Sequence, residues 1–163
     1  MHDTERGARQ LILLRSAQPI ECTGLTDLAL RSKAYWGYDA TFIEACRTEL
    51  TLDPAEFDRL RVAVAECAGH VVGFSALAGE PPEAELAFLF VDPEFIGTGV
   101  GRSLLEHGLG VAAELGFRTI RVESDPFAEP FYLAMGAVRV GEAPSRSVSG
   151  RTLPVLCLTV PAR

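Results

Sequence analysis

Three glycines, Gly97, Gly99 and Gly101, stand at every second position of FVDPEFIGTGVGRSLL, residues 90–105. They fall where an apolar run gives way to helical spacing. A strand that enters a glycine-rich turn opening a helix leaves backbone N–H groups free to hold a phosphate, and the helix dipole supports the same charge. Counting positions removes two loops of this kind. The dinucleotide fingerprint wants glycines at its first, third and sixth positions, but the sixth from Gly97 is Arg102, and Pro93 interrupts the approach. The Walker loop wants Gly-Lys and then Ser or Thr after its last glycine, whereas Gly101 is followed by Arg102 and Ser103. A nucleotide-dependent phosphotransferase therefore lacks its lysine. The remaining alternatives are a different anion loop, or glycines that only permit tight strand–helix packing.

The elements that must position this loop can be read along the chain. QLILLRSA is a strand with too few polar positions for one face to be wet. A helix over about 23–34, capped at Thr23 or Thr26, precedes the aromatic cluster AYWGYDATF and a second helix over about 40–49. RVAVAECA and HVVGFSALAG suit a hairpin around Gly69, and EAELAFLFV is a strand bounded by Pro82 and Pro93. Val100, Leu104, Gly108, Val111 and Leu115 recur at helical steps after the glycines, with Gly116 as the C-terminal cap. RTIRVES is a strand, AEPFYLAMG a short helix, and AVRVGEA and LPVLCLTV are closing strands around a loop rich in Ser, Gly and Arg.

The chain has 163 residues, 48% of them hydrophobic, enough for one buried core, with no repeat or interdomain linker. One domain over 1–163 is expected, with residues 1–9 loose. No run approaches the roughly 20 apolar residues of a membrane span, and the charged start is no secretory signal; a soluble, cytoplasmic protein without a membrane partner is the expectation. The net charge of −7 disfavours a nucleic-acid partner. Cys22, Cys46, Cys67 and Cys157 form no Cys-x-x-Cys and have no His at ligand spacing, so no metal site is expected and the thiols read as buried.

IGTGVG, Ile96 to Gly101, carries glycines at the fourth and sixth places of the six-residue pyrophosphate loop of acyl-CoA transferases. Together with LFVDPEFIGTGVGRSLLEHGLGVAAELG and SDPFAEPFYLAMGA, it makes the chain resemble the GNAT superfamily of N-acetyltransferases over nearly its whole length. The resemblance implies an α/β (α+β) fold with a mixed, mostly antiparallel sheet flanked by helices. Acetyl-CoA would lie where the fourth and fifth strands splay apart. It implies main-chain contacts at Phe90 and Val91, Val91 N–H facing the oxyanion, and a pyrophosphate on Gly97, Thr98, Gly99, Val100, Gly101, Arg102 and Ser103. Two positions depart from the family pattern. Ile96 replaces a common Gln or Arg and can donate nothing, and Phe127 stands where an Asn often contacts pantetheine.

Acyl transfer to an amine needs a proton donor for the leaving thiolate, a proton acceptor for the amine and a site for the oxyanion. The resemblance implies Tyr132 as the donor; the competing role is a core aromatic beside Phe131 and Met135. Glu83 and Glu85, two apart on one strand, share a face, and either could take the amine's proton directly or through water, Glu85 being preferred. A solvated role serves them equally. Tyr35, Trp36 and Tyr38, beside Lys33 and Asp39, could wall a pocket for a small-molecule or peptide amine through cation–π and ionic contacts. They could as well pack a hinge between two helices. The expected activity is N-acetylation by direct attack in a ternary complex. The alternative is a non-catalytic acyl-CoA-binding sensor, which Ile96 and Phe127 leave open. Family members are often homodimers.

Overall fold

A computed structural model describes residues 11–162, so the N-terminal stretch expected to be loose lies outside the described residues. The order is β1 (Ile12–Ser16), α1 (Cys22–Ala34), α2 (Ala40–Leu50), β2 (Arg61–Cys67), β3 (His70–Ala78), β4 (Glu83–Val91), α3 (Val100–Glu114), β5 (Thr119–Glu123), α4 (Glu129–Ala134), β6 (Val138–Pro144) and β7 (Thr152–Thr159). The strands form one seven-stranded sheet in the order β1-β2-β3-β4-β5-β7-β6. Every pairing is antiparallel except β4 with β5.

That exception creates the site. β4 and β5 are in register only at Glu83 with Thr119, Ala84 with Ile120 and Glu85 with Arg121. Beyond those pairs β4 continues to Val91 on the β3 side alone, and the sheet opens into a wedge. The bend has a local cause. Ala76 pairs with Phe88 but Leu77 with Leu86, so Ala87 is an extra residue on β4, and such a bulge bends its strand and raises its twist.

The extra residue shifts the alternation of side chains by one and so sends β4 to two cores. Phe88 and Phe90 join Phe74, Val64 and residues of α1 and α2 on one face. Ala84 and Leu86 join Leu105 and Ala112 of α3, Tyr132 of α4, and Ile120 of β5 on the other. Full burial of side chains such as Phe74, Leu104 and Ile120 stabilises by about 1.5–3 kcal/mol each. α3 lies close on β3 because residue 73 is glycine: a Cβ there would meet Val100 Cγ1 at 3.0 Å and Leu104 Cδ1 at 3.1 Å. This contact seats the start of α3, and with it the glycine loop, against the sheet.

Two details differ from the expectations for the first strand and helix. β1 is an edge strand, with Leu13 55% exposed and Leu11 just before it 74% exposed, so its apolar composition does not reflect burial on both faces. α1 begins at Cys22 after a 3-10 turn over Pro19–Glu21, and Thr26 caps nothing; its buried hydroxyl accepts from Leu52 N–H at 3.0 Å, joining α1 to the end of α2. Among the described residues no helix is long and apolar enough to cross a membrane.

Candidate active site

The glycine loop leaves a set of bare amides at the N-terminus of α3. A 3-10 turn over Pro93–Phe95 is capped by Asp92, whose side chain accepts from Glu94 N–H. Gly97 and Gly99 then take positive φ, 82° and 95°, where an L side chain is strained. Thr98 N–H is spent on Phe95 O at 3.2 Å and Ser103 N–H on Gly99 O at 3.0 Å. The amides of Gly99, Val100, Gly101 and Arg102 have no partner among the described residues, no side chain caps the helix, and its first turn holds no acid. Four unclaimed donors at the positive end of a 15-residue helix suit an anion. Arg102 Nε lies 3.3 Å from Glu106 Oε1 and is largely exposed, so its side chain is turned along the helix.

A cavity of about 510 Å³ extends from this loop through the wedge to the junction of α1 and α2. Asp92 N–H bonds to Val72 O on β3 at 2.8 Å. Peptide groups alternate along a strand, so Phe90 faces β3 and Leu89 and Val91 turn theirs to the side that β5 has left. Tyr132 lines the cavity and is buried. Burial alone raises its pKa, with no hydrogen bond contributing, so it stays protonated across the physiological range.

The far wall is charged. Lys33 Nζ meets Asp125 Oδ2 at 2.5 Å, Tyr38 donates to the same carboxylate at 2.9 Å, and Arg151 Nη2 reaches Tyr38 Oη at 2.6 Å and Asp125 Oδ2 at 3.4 Å. Burial pushes the Asp125 carboxyl up, but Lys33, the Phe127 amide and Tyr38 outweigh it and hold the group below the ordinary carboxylate value. Burial first, and then Asp125, push the Tyr38 phenol up to about 12. Trp36 stacks on Phe127 with ring centroids 5.5 Å apart and planes 8° from parallel.

Of the residues singled out in the sequence, Trp36, Phe90, Val91, Ile96, Gly97, Gly99, Gly101, Arg102, Phe127 and Tyr132 line this cavity. Thr98, Val100 and Ser103 do not; Val100 is fully buried against β3, so only its amide faces the loop. Tyr35 is half exposed and packs edge-on against Trp36, while Tyr38 stands behind the wall with Lys33 and Arg151 over its ring at 5.4 and 5.1 Å. The chain's own cations thus occupy the ring expected to receive an amine, and Asp39, the acid beside it, caps α2. Glu83 and Glu85 are exposed on the paired stretch of β4, outside the cavity wall, on the face that carries Phe88. Glu123, at the end of β5 and bonded by Arg121 at 2.8 Å, does line it. Sequence reasoning passed over Glu123, Asp125 and Arg151. Asp125 sits inside the matched SDPFAEPFY, but Arg151 lies 113 residues from Tyr38 and 26 from Asp125, with no local pattern to mark it. Among the described residues no group of acids, His and Cys is arranged to hold a metal.

The acetyltransferase (GNAT) family matches residues 27–137. A peptidyl-lysine N-acetyltransferase of Salmonella typhimurium, YjaB, is 37% identical over 90 residues, which span 55% of this chain and 57% of that relative. The fold is shared with a GCN5-related N-acetyltransferase from Rhodopseudomonas palustris (TM-score 0.75, 22% identity, 90% of this chain and 94% of that one). It is also shared with the PaiA N-acetyltransferase of Thermoplasma acidophilum in complex with coenzyme A (TM-score 0.73, 18% identity, 91% and 99%).

Proposed function

The chain belongs to the GNAT acetyltransferase family, and on that premise we propose that it acetylates a primary amine of a small molecule or peptide, by direct attack in a ternary complex with acetyl-CoA. The observation that carries this reading is that Tyr132, a protonated phenol without a hydrogen-bond partner among the described residues, lines the same cavity as Gly99, Gly101 and Arg102 of the glycine loop. The bare amides of that loop, of Gly99, Val100, Gly101 and Arg102, fit a pyrophosphate. Bound there, acetyl-CoA supplies the activated acyl group.

The chain's own groups divide the remaining work. Val91 N–H, turned to the open side of β4, is placed to donate to the carbonyl oxygen as negative charge gathers on it. Tyr132 offers its proton to the departing sulfur. A phenol raised above its usual value near 10 is a weaker acid than a thiol near 8.5, at about 1.4 kcal/mol per unit, so its first contribution is a hydrogen bond to the developing thiolate, worth most in a desolvated cavity. The attacking amine gives up its proton through water to Glu123 at the cavity wall, in place of Glu85, which the sequence favoured and which lies outside that wall.

Thiol release over a panel of amines, run beside thermal shift with acetyl-CoA and CoA, tests the reading. Turnover with at least one amine is expected. Stabilisation by both cofactors with no release on any amine would favour an acyl-CoA sensor, and no stabilisation by either would sink both.

A further inference from the structure

Asp125 is already engaged by four donors. Its Oδ1 accepts from Phe127 N–H at 2.9 Å, its Oδ2 accepts from Lys33 at 2.5 Å and Arg151 at 3.4 Å, and the single hydroxyl proton of Tyr38 is shared between Oδ2 at 2.9 Å and Oδ1 at 3.1 Å. The cations beside it are in the opposite condition. Among the described residues Arg151 makes its polar contacts through Nη2 alone, leaving Nε and Nη1, and Lys33 spends one of three N–H groups. The two unpartnered Arg151 nitrogens are not sealed off, since Glu129 Oε2 is the one fully buried side-chain polar atom without a partner among the described residues. Lys33 and Arg151 both line the cavity, with side chains only 13% and 18% exposed.

At Asp125 two cations, Lys33 and Arg151, face one carboxylate, and Tyr38 between them is neutral. Of the other acids of the wall, Glu123 is bonded by Arg121, while Glu49 is exposed to water and accepts from the Ser147 hydroxyl. Largely buried N–H donors on a cation are costly to leave unmatched, and a carboxylate matches them best.

We infer that the acceptor amine also carries a carboxylate, held by Arg151 and Lys33, so that the substrate is an amino acid or a similar small amino acid-type molecule. This rests on the acetyl-transfer reading and narrows it. The curated relative is named for peptidyl lysine, an amine without a carboxylate of its own within a chain, and the two substrate classes give different results below.

The experiment uses matched pairs differing in one group: lysine and cadaverine, phenylalanine and phenethylamine, 4-aminobutyrate and butylamine, with an acetylatable lysine peptide alongside. Binding to the CoA-saturated protein is read by calorimetry, and kcat/KM by thiol release. The carboxylate member of at least one pair should bind about tenfold or more tightly than its partner, and Arg151→Gln should bring that ratio towards one while Arg151→Lys keeps part of it. Circular dichroism checks that both variants fold, and the wild-type pairs decide the matter without them. If no carboxylate outbinds its partner, or the lysine peptide is preferred over every free acid, the inference is overturned even though acetyl transfer stands. If CoA itself does not bind, the failure belongs to the family-based reading.

Discussion

Tyr132 is a buried residue whose hydroxyl bonds to no partner among the described residues and which lines the cavity, where a ligand atom can take the bond. Tyr132→Phe should lower kcat about 100-fold, the lower end of what a positioned proton donor contributes, with the calorimetric affinity for acetyl-CoA unchanged. A kcat within twofold of wild type would remove the donor role. Tyr38 is the contrasting phenol, fully bonded and raised to about 12 by burial and by Asp125. Its folded pKa lies above the unfolded value near 10, so the stability it contributes is present below pH 10 and is lost as pH rises through 12. Melting temperature measured from pH 9 to 12 should fall more steeply in wild type than in Tyr38→Phe. Tyr132 lay inside a matched motif and could be singled out from sequence. The role of Tyr38 could not, because an aromatic cluster next to a lysine and an acid reads as an amine pocket until the partners at positions 125 and 151 come into view.

The loop and the charged cluster place their demands on elements. Gly99 needs the left-handed region, so Gly99→Val should weaken acetyl-CoA binding by about tenfold or more, from a conformational cost of roughly 1–2 kcal/mol. Gly101 is different: its φ is ordinary, and a Cβ there would touch the Phe131 ring and Val91 at 3.5–3.6 Å, ordinary contact distances. Gly101→Ala should therefore bind acetyl-CoA better than Gly99→Ala, a ranking that calorimetry can reverse. The alternating glycines were legible in sequence, but which of them the backbone requires was not, since spacing does not distinguish positive φ from close packing. The cluster of Lys33, Tyr38, Asp125 and Arg151 joins α1, the loop before α4 and the loop before β7. Asp125→Ala leaves two half-buried cations without their carboxylate and should cost about 3 kcal/mol in urea unfolding. A loss below 1 kcal/mol would mean that water already screens the group. The ends of these loops are far apart in sequence, which is why helix and strand patterns located the segments but not the joint between them.

At the scale of the whole molecule the sheet is two arms, β1 to β4 and β5 with β7 and β6, held in register at three residue pairs. A shared core of Leu77, Ala84, Leu105, Ile120 and Leu156 binds them on the α3 face. The splay of the fourth and fifth strands was implied by the family resemblance, whereas the point where their pairing ends depends on the extra residue at Ala87, which the apolar run LAFLFV does not betray. A ligand lying in the wedge touches both arms and supplies contacts that the missing strand pairing does not. At a hundred times its dissociation constant, acetyl-CoA should add about 2.7 kcal/mol, or a melting shift of roughly 5–10 °C for a chain of this size. Hydrogen exchange locates the gain. Slowing should appear at the amides of Gly99 to Arg102, at Leu89 and Val91, and around Phe127 to Tyr132. If it is confined to the start of α3, only the pyrophosphate is held. The wedge between β4 and β5 would then not be the channel that brings the thioester to Tyr132.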